Sequence, residues 1–235
     1  MTKNVLLNNI EHKDLRIDTG HGSQLGDAVM FAPTFAVEFR EVQAHYPIVF
    51  RKAVDGQFQS IALFGFKEGH NLFLDGERWD AHYLPLAIER LPFLIGRSGE
   101  ELLVHIDLDN PRVGTQSGEP VFLAHGGTTE FLQRKNSVLL ALHEGLQADP
   151  AFIDALLQHE LLESFVLDVT LDDGSQNRLV GFYTISEERL RILSGKVVAQ
   201  LHQAGYLEPI YMAVASLANF RGLIERMNRA NAADH

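Results

Sequence analysis

Apolar and polar positions alternate with a period of two in several short runs, the pattern of half-buried strands. YPIVFRK (46–52) and SIALFGF (60–66) are two β-rich runs, and Asp55-Gly56 between them is a hairpin turn signal. ELLVHIDL (101–108) alternates in the same way. SFVLDVTL (164–171) and RLVGFYTI (178–185) flank Asp173-Gly174 and predict the clearest hairpin. TFAVEFREVQAHY (34–46) fits either period; its Glu, Arg and Gln content and the preceding Pro33 favour a helix.

Helical spacing dominates after residue 127. TTEFLQRKNSVLLALHEGLQ (128–147) opens on a threonine cap, Thr128 or Thr129. DPAFIDALLQHELLE (149–163) reads as a new helix, with Asp149 as N-cap and Pro150 as its first residue. SEERLRILSG (186–195) is expected to start at Ser186 and stop at Gly195. A last helix over 208–230 aligns Ile210, Val214, Leu217, Phe220, Ile224 and Met227 on one face. Strands first and helices later, with one hairpin between helices, predict an α+β fold with a mainly antiparallel sheet. No repeat or low-complexity linker divides the chain, so one domain over 1–235 is expected, with 1–30 as a peripheral arm.

Composition narrows the function classes. At 235 residues and 46 % hydrophobic, the chain is long enough to bury a large core without staples. It has no cysteine, which removes disulfides, thiol nucleophiles and thiolate metal sites and fits a cytoplasmic location. The formal net charge is −11 and no run of Lys or Arg offsets it, which argues against nucleic acid as a partner. The start carries no secretory pattern, and no stretch approaches the roughly 20 apolar residues of a membrane span.

Candidate chemistry is sparse. HNLFLDGERWDAHYLPLAIERLPFLIGR (70–97) holds the only tryptophan. Trp79, Tyr83, Arg90 and Phe93 either line a pocket for a small aromatic or sugar-like ligand or pack a corner where strand becomes helix. His105-Ile-Asp107 places a histidine and a carboxylate on one strand face, two ligands of a 2-His-1-carboxylate iron site, with His125 as the third. The same His105 also reads as an ordinary edge-strand residue. His143-Glu144 lacks the second histidine of a zinc helix, His125-Gly126-Gly127 has no matching G-x-S-x-G elbow, and Asp107, Asp109 and Asn110 lack the glycine and glutamate of a calcium loop. TGHGSQLGD (19–27) is one residue too long for the dinucleotide fingerprint and reads as a flexible loop.

YPIVF (46–50), NLFLDGERWDAHYLPLAIERLPF (71–93), DDGSQNRLVGFYTISEERL (172–190) and GYLEPIYMAVASLANFRGLI (205–224) together resemble the SapC-like proteins of Gram-negative bacteria. The Trp-to-Phe block is the specific part; "ERLPF" departs from it by a leucine where an aromatic or second arginine is expected. The resemblance implies a soluble protein, not the transporter permease of similar name, and carries over no catalytic residues. It also implies a gene neighbourhood of flavin-dependent halogenase-like enzymes, cupin-like proteins and TonB-dependent receptors. The leading expectation is therefore a non-catalytic accessory or binding protein of a nutrient-uptake or surface-related pathway. It would meet a small molecule or a partner protein around Trp79, with its cofactor unknown. The alternative is an iron- and 2-oxoglutarate-dependent oxygenase built on His105 and Asp107. A third reading is a subunit that self-associates through an apolar surface.

Overall fold

A computed structural model describes residues 3–99 and 101–233. In chain order its strands are β1 (Asn4–Leu6), β2 (Arg16–Ile17), β3 (Phe31–Pro33), β4 (Ile48–Lys52), β5 (Phe58–Leu63), β6 (Leu74–Asp75), β7 (Arg78–Trp79), β8 (Phe93–Ser98), β9 (Glu101–Asp107), β10 (Val113–Gly114), β11 (Glu119–Pro120), β12 (Leu162–Thr170) and β13 (Gln176–Ile185). The helices are α1 (Phe39–Val42), α2 (Leu86–Glu89), α3 (Glu130–Gln158), α4 (Glu187–Arg191), α5 (Gly195–Gln203), α6 (Leu207–Ser216) and α7 (Asn219–Ala233). Every strand pair is antiparallel and the long helices follow residue 129, so the fold is α+β as the periodicities predict.

The chain forms two compact units. The first comprises Met1–Ala28, Leu74–Asp80 and Leu86–Glu144. It holds a sheet in the order β1-β9-β8, a small sheet β10-β2-β11 and the β6-β7 hairpin. Its core gathers Ile17, Phe93, Ile106, Val121, Phe131, Leu132 and Leu139. The first turn of α3 closes that core through Thr129, whose hydroxyl accepts the Leu132 N–H and donates to the carbonyl of Pro120. The threonine cap is thus realised at Thr129.

The second unit comprises Val29–Phe73, Ala81–Pro85 and Gly145–His235. Its sheet runs β12-β13-β4-β5-β3, so both predicted hairpins lie side by side in one sheet. Phe39, Tyr46, Ile48, Phe50, Phe64 and Leu156 are fully buried, and ring contacts between Tyr46 and Phe64 and between Phe39 and Phe152 fill the space on the sheet. Ser216 at the end of α6 accepts the N–H of Ile48 at 2.8 Å, which satisfies a buried donor at the start of β4.

Four expectations about helices change. The 34–46 segment is helical only over α1; its Val37 is exposed and residues 35–38 turn. Asp149-Pro150 starts no helix, because α3 runs through Pro150. The Asp149 carboxylate accepts the N–H of Ala36 and the hydroxyl of Ser60 instead of capping its own helix, while Phe152, Ile153 and Leu156 stay buried beyond the proline. Gly195 is not a stop but the first residue of α5, whose N-terminus Ser194 caps by accepting the Val197 N–H. The 208–230 helix is two. At the break, Ser216 donates to the Ala213 carbonyl and Asn219 to the Gln43 carbonyl, and i→i−3 bonds from Leu217 and Ala218 tighten the turn. Of the expected stripe, Ile210, Phe220 and Met227 are buried; Ala213, Ser216 and Leu223 complete the buried face.

Candidate functional site

The four residues of the tryptophan segment fall in both units. Trp79 is a buried residue of β7 in the first unit, and its ring meets the edge of His21 at 5.7 Å. Arg90, in the same unit, is half-buried and donates to the carbonyl of Phe93 at 2.8 Å; burial holds its guanidinium below the usual arginine range. Phe93 is fully buried against Phe131. Tyr83 belongs to the second unit, where its hydroxyl donates to Glu38 at 3.0 Å and its carbonyl accepts the Tyr46 hydroxyl. Each side chain is engaged in packing or in holding a loop.

His105 and Asp107 do face the same way on β9, but each has another task. The His105 ring lies over Gly96, where a Cβ would fall within 2.2 Å of it, and its Nδ1 is 3.3 Å from the Leu103 carbonyl. Asp107 accepts the N–H of Asp109 and so ends the strand in a turn. His125 is exposed in a loop. Among the described residues no three His, Asp or Glu side chains stand close enough to hold a metal ion, so the iron site has no ligand set there.

The first unit contains a buried ion pair that no local pattern announces. Asp27 is fully buried, and both its oxygens lie 2.7 Å from Nη2 of Arg112. The carboxylate also accepts the Gly22 N–H and the Nδ1–H of His21, while the other arm of Arg112 donates to the carbonyls of Gly20 and Asp18. Burial pushes the Asp27 carboxyl up. The hydrogen bonds from His21, Gly22 and Arg112 and the charge of Arg112 outweigh it, and the net displacement is downward. The glycine-rich 19–27 loop, read as flexible, is wrapped around this guanidinium. His21 also meets the Trp79 ring, so Trp79 packs beside this buried salt bridge.

The second unit holds a cleft of about 470 Å³, within the size range of small-molecule sites. Phe152, Tyr206, Pro209 and Met212 give it an apolar wall, and the Phe152 and Tyr206 rings meet edge to face at 5.5 Å. Arg40 and Glu208, which also line it, are exposed and form an ion pair with each other. Asp149 contributes a buried carboxyl. Burial pushes this carboxyl above the usual range, and the donors Ser60 and Ala36 counter that only in part. Gly145 allows the wall to close: a Cβ there would fall 2.2 Å from the Phe35 ring. Sequence reading missed the cleft because its residues come from 36–40, 145–152 and 204–212, and Asp149 resembled a helix cap.

The family model described as SapC matches residues 7–223. The chain belongs to the SapC family. The match spans the buried Asp27 and Asp149 and every residue lining the cleft, so in this SapC chain they lie within the matched region. Parts of the motifs that resembled the family lie in the core: Tyr46 to Phe50 are buried at the start of β4, and Trp79 and Phe93 are buried in the first unit. No curated protein and no solved structure matches the chain. Among the described residues of this SapC chain, no helix is long and apolar enough to cross a membrane.

Proposed function

We propose that this chain is a non-catalytic accessory protein that binds a small molecule in the cleft of its second unit, and serves a nutrient-uptake or surface-related pathway from the cytoplasm. The observation that supports binding is the cleft itself: a concave, mostly apolar space with a few polar groups converging on it. Two features of its polar lining support holding over turnover. Asp149 already accepts hydrogen bonds from Ser60 and Ala36, and Arg40 and Glu208 neutralise each other. The pathway assignment follows from the family resemblance alone.

The reading is tested by thermal unfolding of the purified chain with and without the small-molecule filtrate of a bacterial extract. A ligand that binds only the folded state raises the midpoint. Ala148→Trp supplies the control, because Ala148 is exposed and lines the cleft, so an indole there fills the space without disturbing the core. The expected result is a rise for the wild type that is absent in Ala148→Trp. No rise, or an equal rise in both, overturns the assignment to this cleft.

A further inference from the structure

Two buried aspartates of this chain differ in one respect. Asp27 has its counter-charge inside the fold, in Arg112. Asp149 is almost as inaccessible, at 6 % exposure, yet among the described residues no Lys, Arg or His forms an ion pair with it. A buried carboxylate without a cation is disfavoured, and a positive group brought within reach reverses that. Asp149 lines the cleft, so the group that reaches it there comes from outside the chain.

The other lining residues narrow the class. Arg40 and Glu208 pair with each other, which leaves Asp149 as the lining carboxyl with no cation paired to it among the described residues. The half-buried Tyr206 ring, backed by the buried Phe152, offers a surface suited to an ammonium and to an apolar body. Met212 and Pro209 add deformable apolar wall. We infer that the cleft takes a cationic amine with an aromatic or apolar body, its ammonium directed at Asp149 and its body against Phe152, Tyr206 and Met212. This inference rests on the cleft being the ligand site and adds the ligand's chemical class.

Isothermal titration with three probes of one shape tests it: phenethylamine, which is a cation at neutral pH, 2-phenylethanol, which is neutral, and 3-phenylpropionate, which is an anion. Phenethylamine is expected to bind at least about tenfold more tightly than the alcohol, the worth of a charge-assisted hydrogen bond, and the anion is expected not to bind. Asp149→Asn should remove the preference for the amine; its amide oxygen still accepts the Ala36 N–H, and circular dichroism checks that the variant is folded. Tyr206→Leu keeps the carboxylate intact and should weaken the amine more than the alcohol. Ala148→Trp should abolish binding of all probes. Equal affinity for amine and alcohol, a preference for the anion, an unchanged preference in Asp149→Asn, or no binding of the amine each overturns the inference. A filtrate ligand that in those cases still raises the midpoint of the wild type but not of Ala148→Trp leaves the cleft as a binding site and removes only the amine class.

Discussion

Single residues set the chemistry of both units, and the two buried aspartates make opposite predictions. Asp27 has a lowered folded pKa, so its stabilising contribution is present above the unfolded value of about 3.9 and is lost as pH falls through the folded value. Replacing it by Asn leaves Arg112 buried without its partner and is expected to cost about 3–5 kcal/mol in urea unfolding at pH 7. Asp149 has a raised folded pKa, so its contribution is present below about pH 3.9 and is lost as pH rises through the folded value. Urea titrations from pH 4 to pH 8 should therefore show a smaller loss of stability with rising pH in Asp149→Asn than in the wild type. An identical pH profile would contradict the burial of that carboxyl. Gly145 makes a third prediction. Alanine there gains helix propensity of about 1 kcal/mol but drives a methyl into the Phe35 ring, and the net effect is expected to be a loss of about 1–2 kcal/mol. A gain in stability would show that α3 does not pass Phe35 so closely.

At the scale of elements, the C-terminus of α3 carries a decision that local pattern does not contain. The C-terminus of α3 closes with the Leu161 N–H on the Leu156 carbonyl and the Glu160 N–H on that of Leu157, the pattern of a left-handed cap. Glu160 takes the left-handed position with φ of 53°, where glycine is the usual residue. Glu160→Gly relieves that conformation and gives up an exposed ion pair with Arg189; a net gain of about 0.5–1 kcal/mol is expected in thermal or urea unfolding. A loss would mean that the ion pair outweighs the backbone strain.

The elements legible in the sequence were those whose signal is local. Asp55-Gly56 and Asp173-Gly174 turn the chain between β4 and β5 and between β12 and β13, and the caps Thr129 and Ser186 and the strand β9 form where their neighbours in sequence dictate. The elements that were misread depend on partners far along the chain. Asp149 is drawn to Ala36 and Ser60, so α3 continues; Asn219 is drawn to Gln43, so the last helix divides. The same reason hid the sites. Asp27 and Arg112 lie 85 residues apart in sequence, and the cleft's lining comes from separate stretches between 36 and 212. Conversely, the dense tryptophan segment was visible at once, but what its density reflects is the packing of Trp79 beside His21 and of Phe93 in a core.

At the scale of the whole chain, the SapC match over residues 7–223 includes residues of both units, and the central claim is that the cleft of the second unit holds a small molecule. A net charge of −11 matches a preference for cationic ligands over anionic ones, since the long-range field favours their approach. The most direct measurement is native mass spectrometry of the wild type and of Ala148→Trp, each expressed in a Gram-negative host and purified under gentle conditions. The account predicts a population of wild-type chains carrying one extra small-molecule mass, released on acid denaturation and missing from Ala148→Trp. The bare chain mass in both proteins, or the same adduct in both, would contradict it.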